Sequence, residues 1–275
     1  MLGGIAIDRN SNVYVTVPRF KRGVPATLNI LDLNTKKLTP YPDWGSQLDL
    51  PYSANDKDLA NAMALVIDSQ SRMWVLDAGI RYIMEPYEQG DDAVTEPEEC
   101  VKNDQGTCKY YGRIGSPGPD FVGIFLFDLE EKNTAPRKFN LANDVTPDDE
   151  PVYCLVSCVD TFSSFVTAIA VDETKDIAYI SDAGTGSIII FDLKNKKGRK
   201  YAEDGYTTRD LLYTMLVGTR IYGENIPMAA KNTDGDRDEY VALNVAGLSL
   251  SKNSDILYFS SIQGGEFFHL KNHKV

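Results

Sequence analysis

Two aspartates stand at the same place in two similar segments of the chain. Asp77 and Asp182 each precede an Ala-Gly pair at the end of an apolar run. A carboxylate there can pair with a cationic amine or polarise a bound substrate. An aspartate before a tight turn also accepts hydrogen bonds from backbone amides, and we favour this structural role. The two aspartates are thus candidates for ligand recognition, and no catalytic residue is assigned.

Other catalytic and metal-binding patterns do not occur in the sequence. It contains no G-x-S-x-G, no phosphate-binding loop and no H-E-x-x-H. The two histidines, His269 and His273, lie near the C-terminal end and have no evident carboxylate or nucleophile partner. We therefore predict no metal site and no cofactor.

The charge balance of the chain is acidic. It has 28 basic and 40 acidic residues, which gives a formal net charge of -12. Such a surface repels a phosphate backbone and anionic lipid, so neither nucleic acid nor a membrane is an expected partner. No apolar run approaches the ~20 residues that span a bilayer, and no secretory leader is visible at the start.

The aspartates belong to a pattern that the chain repeats four times. Each copy has a short apolar strand, a polar turn, a second strand and, further on, a third strand. The strand–turn–strand segments are 3–19, 62–79, 168–184 and 247–261, and the third strands are 27–33, 123–129, 187–193 and 266–272. Small antiparallel sheets cannot bury their faces alone, so the repeats predict radial stacking. We predict an all-β chain that forms one β-propeller domain over residues 1–275.

The candidate ligand site lies where the repeats meet. The first strand of each copy is nearly all apolar, which predicts a strand that is buried on both faces and lines the propeller axis. Residues just before the first strand and just after the second would share one rim, where a ligand could meet several blades. The predicted ligand-binding residues are Asn61, Met63, Asp77, Phe165, Thr167 and Asp182.

The repeats are unevenly spaced, which predicts insertions between their strands. The longest insertion, within 79–121, is rich in Glu and is expected to be a surface loop. A short helix is predicted for 208–217, because Leu211, Leu212 and Met215 would share one face.

The four cysteines form two close pairs in the sequence. Cys100 lies near Cys108, and Cys154 lies near Cys158. An even number of cysteines in acidic loops favours disulfides and an oxidising compartment, although four reduced thiols are the alternative. Three connectivities are possible, and the sequence does not select one.

Four segments of the chain resemble the yellow / major royal jelly protein family. They are VTVPRFKRGVPATLNILDL (15–33), RMWVLDAG (72–79), AYISDAGTGSIIIFDL (178–193) and, more loosely, GLSLSKNSDILYFSSIQGGEFFHL (247–270). The resemblance implies a six-bladed, secreted propeller, of which this chain would hold about four blades and lack the last two. An incomplete propeller is also expected because the chain opens on a first strand and ends on a third, which leaves two unpaired edges.

Two departures from the family pattern bear on the site. The family often has a cysteine where this chain has Gln70, and its usual cysteine in the third blade is missing here. In amine-binding members, aromatic residues that stack on the ligand precede the inner strands. The matching positions here hold Met63 and Ala246, and Phe165 is the nearest aromatic substitute.

The family includes pigmentation and dopachrome-converting proteins, nutritive jelly proteins and salivary proteins that bind biogenic amines. The resemblance therefore implies a secreted propeller that binds a small aromatic or amine ligand, with a link to catecholamine chemistry. Whether it is an enzyme stays open, because fold does not decide function. The alternatives are a structural or storage protein without a small-molecule site, and a metal-dependent lactonase. The oligomeric state is not predicted.

Overall fold

A computed structural model describes most of the repeated segments. The described residues are 2–19, 24–47, 58–79, 122–131, 135–141, 165–184, 186–201, 245–261 and 267–271, together with the backbone of six two-residue strands. The chain divides into two compact units, Met1–Asn140 and Leu141–Val275. Within the described ranges, no helix is long and apolar enough to cross a membrane.

The described residues of the first unit form two four-stranded antiparallel sheets and one short strand pair. Its strands are β1 (Ile5–Ile7), β2 (Val13–Thr16), β3 (Leu28–Asp32), β4 (Lys37–Pro40), β5 (Ala62–Ile67), β6 (Arg72–Ala78), β7 (Val101–Lys102), β8 (Cys108–Lys109), β9 (Val122–Asp128) and β10 (Arg137–Asn140). The first sheet has the order β1-β2-β3-β4, and the second has the order β10-β9-β6-β5. Strands β7 and β8 pair with each other within the long insertion.

In the part of the second unit that the structure describes, there are a four-stranded sheet, a three-stranded sheet and two short strand pairs. Its strands are β11 (Val166–Asp172), β12 (Ile177–Asp182), β13 (Ser187–Asp192), β14 (Lys197–Tyr201), β15 (Leu216–Val217), β16 (Arg220–Ile221), β17 (Ala230–Lys231), β18 (Asp238–Glu239), β19 (Val245–Leu250), β20 (Ile256–Ser261) and β21 (Phe267–Lys271). The larger sheets have the orders β11-β12-β13-β14 and β19-β20-β21. All four predicted copies therefore fold as antiparallel sheets.

The polar turn of each hairpin is held by its own first residue. The Oδ1 atom of Asp8 accepts hydrogen bonds from the backbone N–H of Asn10 (2.9 Å) and Asn12 (2.8 Å). In the next copy, Asp68 accepts bonds from the backbone N–H of Gln70 and Arg72. Such side-chain bonds stabilise turns without a regular backbone ladder. The turn residues that the sequence repeats thus fix the ends of the strands.

Each unit has an apolar core between its two larger sheets. In the first unit, Tyr14 and Leu28 of the first sheet are buried in one cluster with Leu65 and Phe125 of the second. In the second unit, the core contains residues from both sheets: Ala170, Tyr179, Ile188, Ile190, Val245, Leu257 and Phe259. Burial of these side chains against a neighbouring sheet stabilises faces that a single sheet would leave in water.

The prediction that every first strand is buried on both faces is wrong for β1 and β19. Ile5 and Ile7 of β1 are 63% and 62% exposed, and exposed residues alternate with partly buried ones along most of β19. Strands β5 and β11 have no exposed residue. Both faces of a first strand are buried only when another sheet packs on each side of it.

Two further predictions fall mainly outside the described residues. Of the helix expected for 208–217, only Leu216–Val217 is described, and these two residues form strand β15. The side chains of the four cysteines also lie outside the described part, so the disulfides stay a prediction. The prediction of one domain over 1–275 is likewise untested.

We predict that Gly123→Ala destabilises the protein by about 1–3 kcal/mol, because its methyl group would overpack the sheet. Gly123 is buried, and a Cβ atom there would lie 2.6 Å from the carbonyl oxygen of Phe139 and 3.1 Å from Cε of Lys138. The measurement is the free energy of unfolding from urea denaturation.

The matched control for this prediction is Gly45→Ala. Gly45 is exposed, and its added Cβ would lie 3.4 Å from Oδ1 of Asp43, an ordinary contact. This variant should change stability by less than about 0.5 kcal/mol. Equal destabilisation by the two variants would contradict the overpacking argument.

Candidate ligand-binding rim

The first strands of three sheets, β5, β11 and β19, each have a shift in their pairing register at the same position. We call the first strand of each sheet its inner strand. Ala62 pairs with Asp77, and Ala64 pairs with Leu76, so Met63 is the extra residue of a β-bulge. The same shift leaves Thr167 extra in β11 and Ala246 extra in β19. Bulges redirect side chains and backbone groups at the end of a strand, and they are frequent beside functional sites. In each of the three sheets, the bulge lies at the strand end that the sequence assigns to the predicted ligand rim.

Asp77 binds the loop that leads into the first of these bulges. Its carboxylate accepts hydrogen bonds from the backbone N–H of Ala60 (2.8 Å to Oδ2), Asn61 (2.9 Å to Oδ1) and Gly79 (2.7 Å to Oδ1). The side chain is fully buried. Gly79 has φ of 65°, a left-handed conformation that glycine adopts without strain. These bonds give Asp77 the turn-holding role.

The pKa of Asp77 reflects two opposing effects. Burial raises the pKa of this carboxyl above its ordinary value, while the three backbone N–H groups and the nearby positive charge of Lys138 lower it. Burial is the largest of these effects, so the pKa is raised overall. The carboxyl therefore takes up a proton at a higher pH in the folded protein than in the unfolded chain.

Asn61 connects the same loop to the first sheet. Its side-chain oxygen accepts a hydrogen bond from the backbone N–H of Arg19 (2.7 Å), and its carbonyl oxygen accepts one from the N–H of Ala78 (3.0 Å). The residue is buried. Its polar groups hold the backbone of two loops at the rim.

Two buried polar residues at this edge were not predicted from the sequence. Oγ1 of Thr27 accepts a hydrogen bond from the N–H of Ala62 (2.7 Å). The N–H of Thr27 donates in turn to Oε1 of Gln47 (2.9 Å), and Nε2 of Gln47 donates to the carbonyl of Tyr41 (2.9 Å). Gln47 lies outside the repeats, so no repeated position marks it. The two side chains join the first sheet to the start of β5.

Asp182 has the equivalent place in the second unit. Its Oδ1 atom accepts hydrogen bonds from the N–H of Phe165 (2.7 Å) and Gly184 (3.1 Å). It is fully buried. Asp77 and Asp182 therefore hold equivalent loops in the two units, as their shared position before Ala-Gly suggests.

A hydroxyl at the end of the second strand links neighbouring sheets within each unit. Oγ of Ser181 donates to the carbonyl of Ala246 (3.2 Å), and Oγ1 of Thr16 donates to the carbonyl of Met63 (3.1 Å). In both cases the acceptor is the bulged residue of the next sheet. Ser181 also accepts a bond from the N–H of Ala168 (2.9 Å). These bonds fix the bulged residue Met63 in the first unit and Ala246 in the second.

The six predicted ligand-binding residues divide between the two units. Asn61, Met63 and Asp77 lie together in the first unit, and Phe165, Thr167 and Asp182 lie together in the second. Met63 is buried, whereas Phe165 and Thr167 are partly exposed. Contact of any of these residues with a ligand stays a prediction. Among the described residues, no three His, Cys, Asp or Glu side chains are grouped so that they could hold a metal ion.

Small antiparallel sheets that repeat along the chain and pack face to face within each unit are the blades of a β-propeller. The described part of this chain supplies four of them. The comparison with family models found no match.

Curated relatives identify the kind of propeller. Protein yellow of Drosophila pseudoobscura pseudoobscura is 34% identical over 214 residues, which cover 74% of this chain and 29% of the relative. Protein yellow of Drosophila madeirensis is 26% identical over 214 residues, with the same coverage of both chains. Protein yellow of Drosophila melanogaster is 36% identical over 76 residues. The chain belongs to the yellow family. It spans about 29% of the length of the first two relatives.

Solved structures match most of the chain, but with low TM-scores. The Cps50 (Swd1) β-propeller domain of Myceliophteria thermophila has a TM-score of 0.34 at 10% identity and covers 98% of this chain and 70% of its own. A gluconolactonase from Xanthomonas campestris has a TM-score of 0.30 at 13% identity and covers 94% and 69%. Likenesses this low carry no information about activity.

We predict that Asp77→Asn destabilises the protein by about 1–3 kcal/mol at pH 7, because an amide NH₂ would replace one acceptor and leave a buried N–H without a partner. The measurement is the free energy of unfolding from urea denaturation. Asp43→Asn is the control, since Asp43 is exposed and its Oδ1 accepts from Ser46 in a turn that Asn also supports. An equal effect of both substitutions would contradict the role given to Asp77.

The raised pKa of Asp77 predicts how its contribution depends on pH. Because the folded state binds the proton more readily, the contribution of Asp77 to stability falls as pH rises from about 3.9 through the raised pKa. The free energy of unfolding of wild type minus that of Asp77→Asn should therefore be smaller at about pH 7 than at about pH 4. A larger difference at the higher pH would show that the backbone N–H groups outweigh burial.

Proposed function

We propose that this protein is a secreted yellow-family propeller that binds a small aromatic or biogenic-amine ligand at its bulged rim. The observation that carries the proposal is the bulge at the same position in three inner strands, at Met63, Thr167 and Ala246. A repeated break in the ladder leaves backbone and side-chain groups facing away from the sheet, where a ligand can use them. The secreted location is proposed on the family membership.

The hydrogen bonds of the rim favour binding by a rigid site. Asp77 fixes the loop before β5, and Asp182 fixes the loop before β11. Loops that are ordered before the ligand arrives reduce the entropy lost on binding. We therefore assign these carboxylates to positioning, and direct contact with the ligand to neighbouring groups.

The second unit offers the groups that suit an aromatic amine. Phe165 precedes β11 and is partly exposed, so its ring can stack on another ring. Thr167, also partly exposed, has a hydroxyl that lies 2.9 Å from Oγ of Ser181. The net charge of -12 attracts a cation over longer distances.

Dopachrome conversion is a narrower form of this proposal. It needs a base that removes a proton from the ring and a donor that returns it. Asp77 and Asp182 pair with the residues just before two of the bulges, and both are fully buried and already accept backbone hydrogen bonds. We therefore propose binding, assign no catalytic residue and leave turnover to be measured.

A thermal-shift titration with serotonin, dopamine, dopachrome and calcium tests the proposal. A ligand that binds only the folded state stabilises it by about 2.7 kcal/mol at a hundredfold excess over Kd, so Tm must rise. We expect a shift with the amines or with dopachrome. Loss of dopachrome absorbance above a buffer control would add catalysis.

The variant Phe165→Ala locates the site. Loss of one stacked ring should weaken amine binding by about 2- to 10-fold. Tyr201→Ala is the matched control, because Tyr201 is an exposed aromatic residue on β14, at the opposite edge of the same sheet from β11. It should leave the affinity unchanged.

The other functions predict different outcomes. No shift with any compound would favour a structural or storage role. A shift with calcium alone would favour the lactonase alternative. Equal affinity of Phe165→Ala and wild type for an amine would place the ligand away from this rim.

A further inference from the structure

One edge of the four-stranded sheet in the second unit has a high density of positive charge that the ligand proposal does not use. Five of the eight residues 194–201 are Lys or Arg and none is acidic, in a chain whose formal net charge is -12. We call these five residues the basic strip: Lys194, Lys196, Lys197, Arg199 and Lys200. The first three are exposed, and the other two are partly exposed.

The basic strip follows β14, the outermost strand of the sheet β11-β12-β13-β14. Two of its residues lie in the turn before β14, and three lie on the strand itself. The register pairs Arg199 with Ile190 and Lys200 with Ile189. Because side chains alternate along a strand, Arg199 and Lys200 point to opposite faces of the sheet. The strip therefore places positive charge along the edge of the sheet and not on one face alone.

The β3–β4 turn of the first sheet is equivalent to the turn of the basic strip. Oδ1 of Asp32 accepts hydrogen bonds from the backbone N–H groups two and three residues later, and Oδ1 of Asp192 does the same. Lys36 and Lys196, which follow these aspartates at the same distance in the chain, both have a left-handed backbone, with φ of 60° and 55°. The two turns and the strands that follow them can therefore be compared residue by residue.

This comparison separates the positive charges that the two sheets share from those that only one sheet has. Lys36 and Lys37 match Lys196 and Lys197. The other three positions of the basic strip are uncharged in the first sheet, which forms without them. In that sheet, the places of Lys194, Arg199 and Lys200 hold Asn34, Thr39 and Pro40. We call Lys194, Arg199 and Lys200 the extra cations, because the fold does not require them.

Charged side chains on an outer strand also prevent that strand from pairing with another chain. Such protection requires charge but not a positive sign, and acidic residues outnumber basic ones in this chain. The first sheet has Lys37 on its outer strand β4 together with Pro40, which has no N–H to donate. Protection of β14 therefore explains one or two charges, whereas five charges of one sign indicate a partner of the opposite sign.

The carboxylates of the same sheet do not lie on β14. Both oxygens of Asp192 accept hydrogen bonds from the turn itself, namely from the N–H groups of Lys194 and Asn195 and from Nδ2 of Asn195. The β11–β12 turn is acidic, but two strand spacings of ~4.8 Å separate β12 from β14, which is about 10 Å. Its acidic residues are Asp172, Glu173 and Asp176. Positive charge therefore predominates along β14.

We propose that the basic strip binds a sulfated polysaccharide, a linear chain whose sulfate groups are close enough together to pair with several of these cations. Lys and Arg side chains form charge-assisted hydrogen bonds with such anionic oxygens. Exposed charges more than about 8 Å apart are largely screened at physiological ionic strength, so the strip can act locally although the net charge is -12.

The arrangement of charge favours a polysaccharide over other polyanions. A thin chain can follow one outer strand, whereas a membrane surface or a DNA duplex is broad and would also approach acidic parts of the protein, which repel it. Proteins that bind single-stranded nucleic acid place aromatic residues among the cations so that bases can stack. Residues 194–200 contain no aromatic residue.

Isothermal titration calorimetry of the 275-residue chain with heparin tests the proposal. We expect saturable binding that weakens as salt is added. The variant that combines Lys194→Gln, Arg199→Gln and Lys200→Gln should bind heparin at least about tenfold more weakly. The slope of its log affinity against log salt concentration should be less steep by about 2–3, because each lost contact releases fewer counterions.

The control variant combines Lys36→Gln, Lys37→Gln and Lys252→Gln. It loses the same amount of positive charge from exposed positions of two other sheets, so its affinity for heparin should equal that of the wild type. The variant that combines Lys194→Arg and Lys200→Arg keeps the charge and should also keep the affinity. Circular dichroism checks that each variant is folded.

Three further probes distinguish sulfated polysaccharide from other polyanions. They are hyaluronan, which has carboxylates but no sulfates, a single-stranded oligonucleotide, and vesicles of phosphatidylserine and phosphatidylcholine. Each should bind at least about tenfold more weakly than heparin. Binding of any of them as tight as that of heparin would overturn the proposal. Absence of heparin binding at low salt, or an equal loss of affinity in the control variant, would also overturn it.

Discussion

Within each unit, the end of the second strand of one sheet comes close enough to the inner strand of the next sheet for a side chain to bond its backbone. The hydroxyl of Thr16 reaches the carbonyl of Met63, and that of Ser181 reaches the carbonyl of Ala246. This approach requires small residues: a Cβ atom at Gly4 would lie 3.1 Å from the backbone nitrogen of Leu65. The bulges, the buried aspartates and the apolar cores are all arranged around this contact.

A buried aspartate at each of two rim loops follows from the same geometry. Where the strand ladder is interrupted, backbone N–H groups lose their regular acceptors and must find others inside the protein. Asp77 supplies them for Ala60, Asn61 and Gly79, and Asp182 supplies one for Phe165. Burial of a carboxylate is unfavourable, and several N–H donors offset that cost. The loops become rigid, which is the property that a binding rim needs.

Much of the fold could be predicted from the sequence because it is encoded locally. Short apolar segments separated by polar turns predicted the four hairpins. The structure has strands within the predicted segments. Trp74 and Tyr179, which lie within the second strands of two copies, are buried. The predictions failed where burial depends on a neighbouring sheet, since the apolar pattern of β1 is the same whether or not another surface covers Ile5 and Ile7.

The candidate site divides in the same way between sequence and structure. The sequence by itself determined the repeats, the equivalence of Asp77 and Asp182, and the residues that flank the inner strands, because each is a pattern within a short segment. Only the tertiary structure decided the positions of the bulges, the burial of both carboxylates and the parts of Thr27 and Gln47. These features depend on strand register and on contacts between residues far apart in the chain. Neither can be recognised from the amino acids of a short segment.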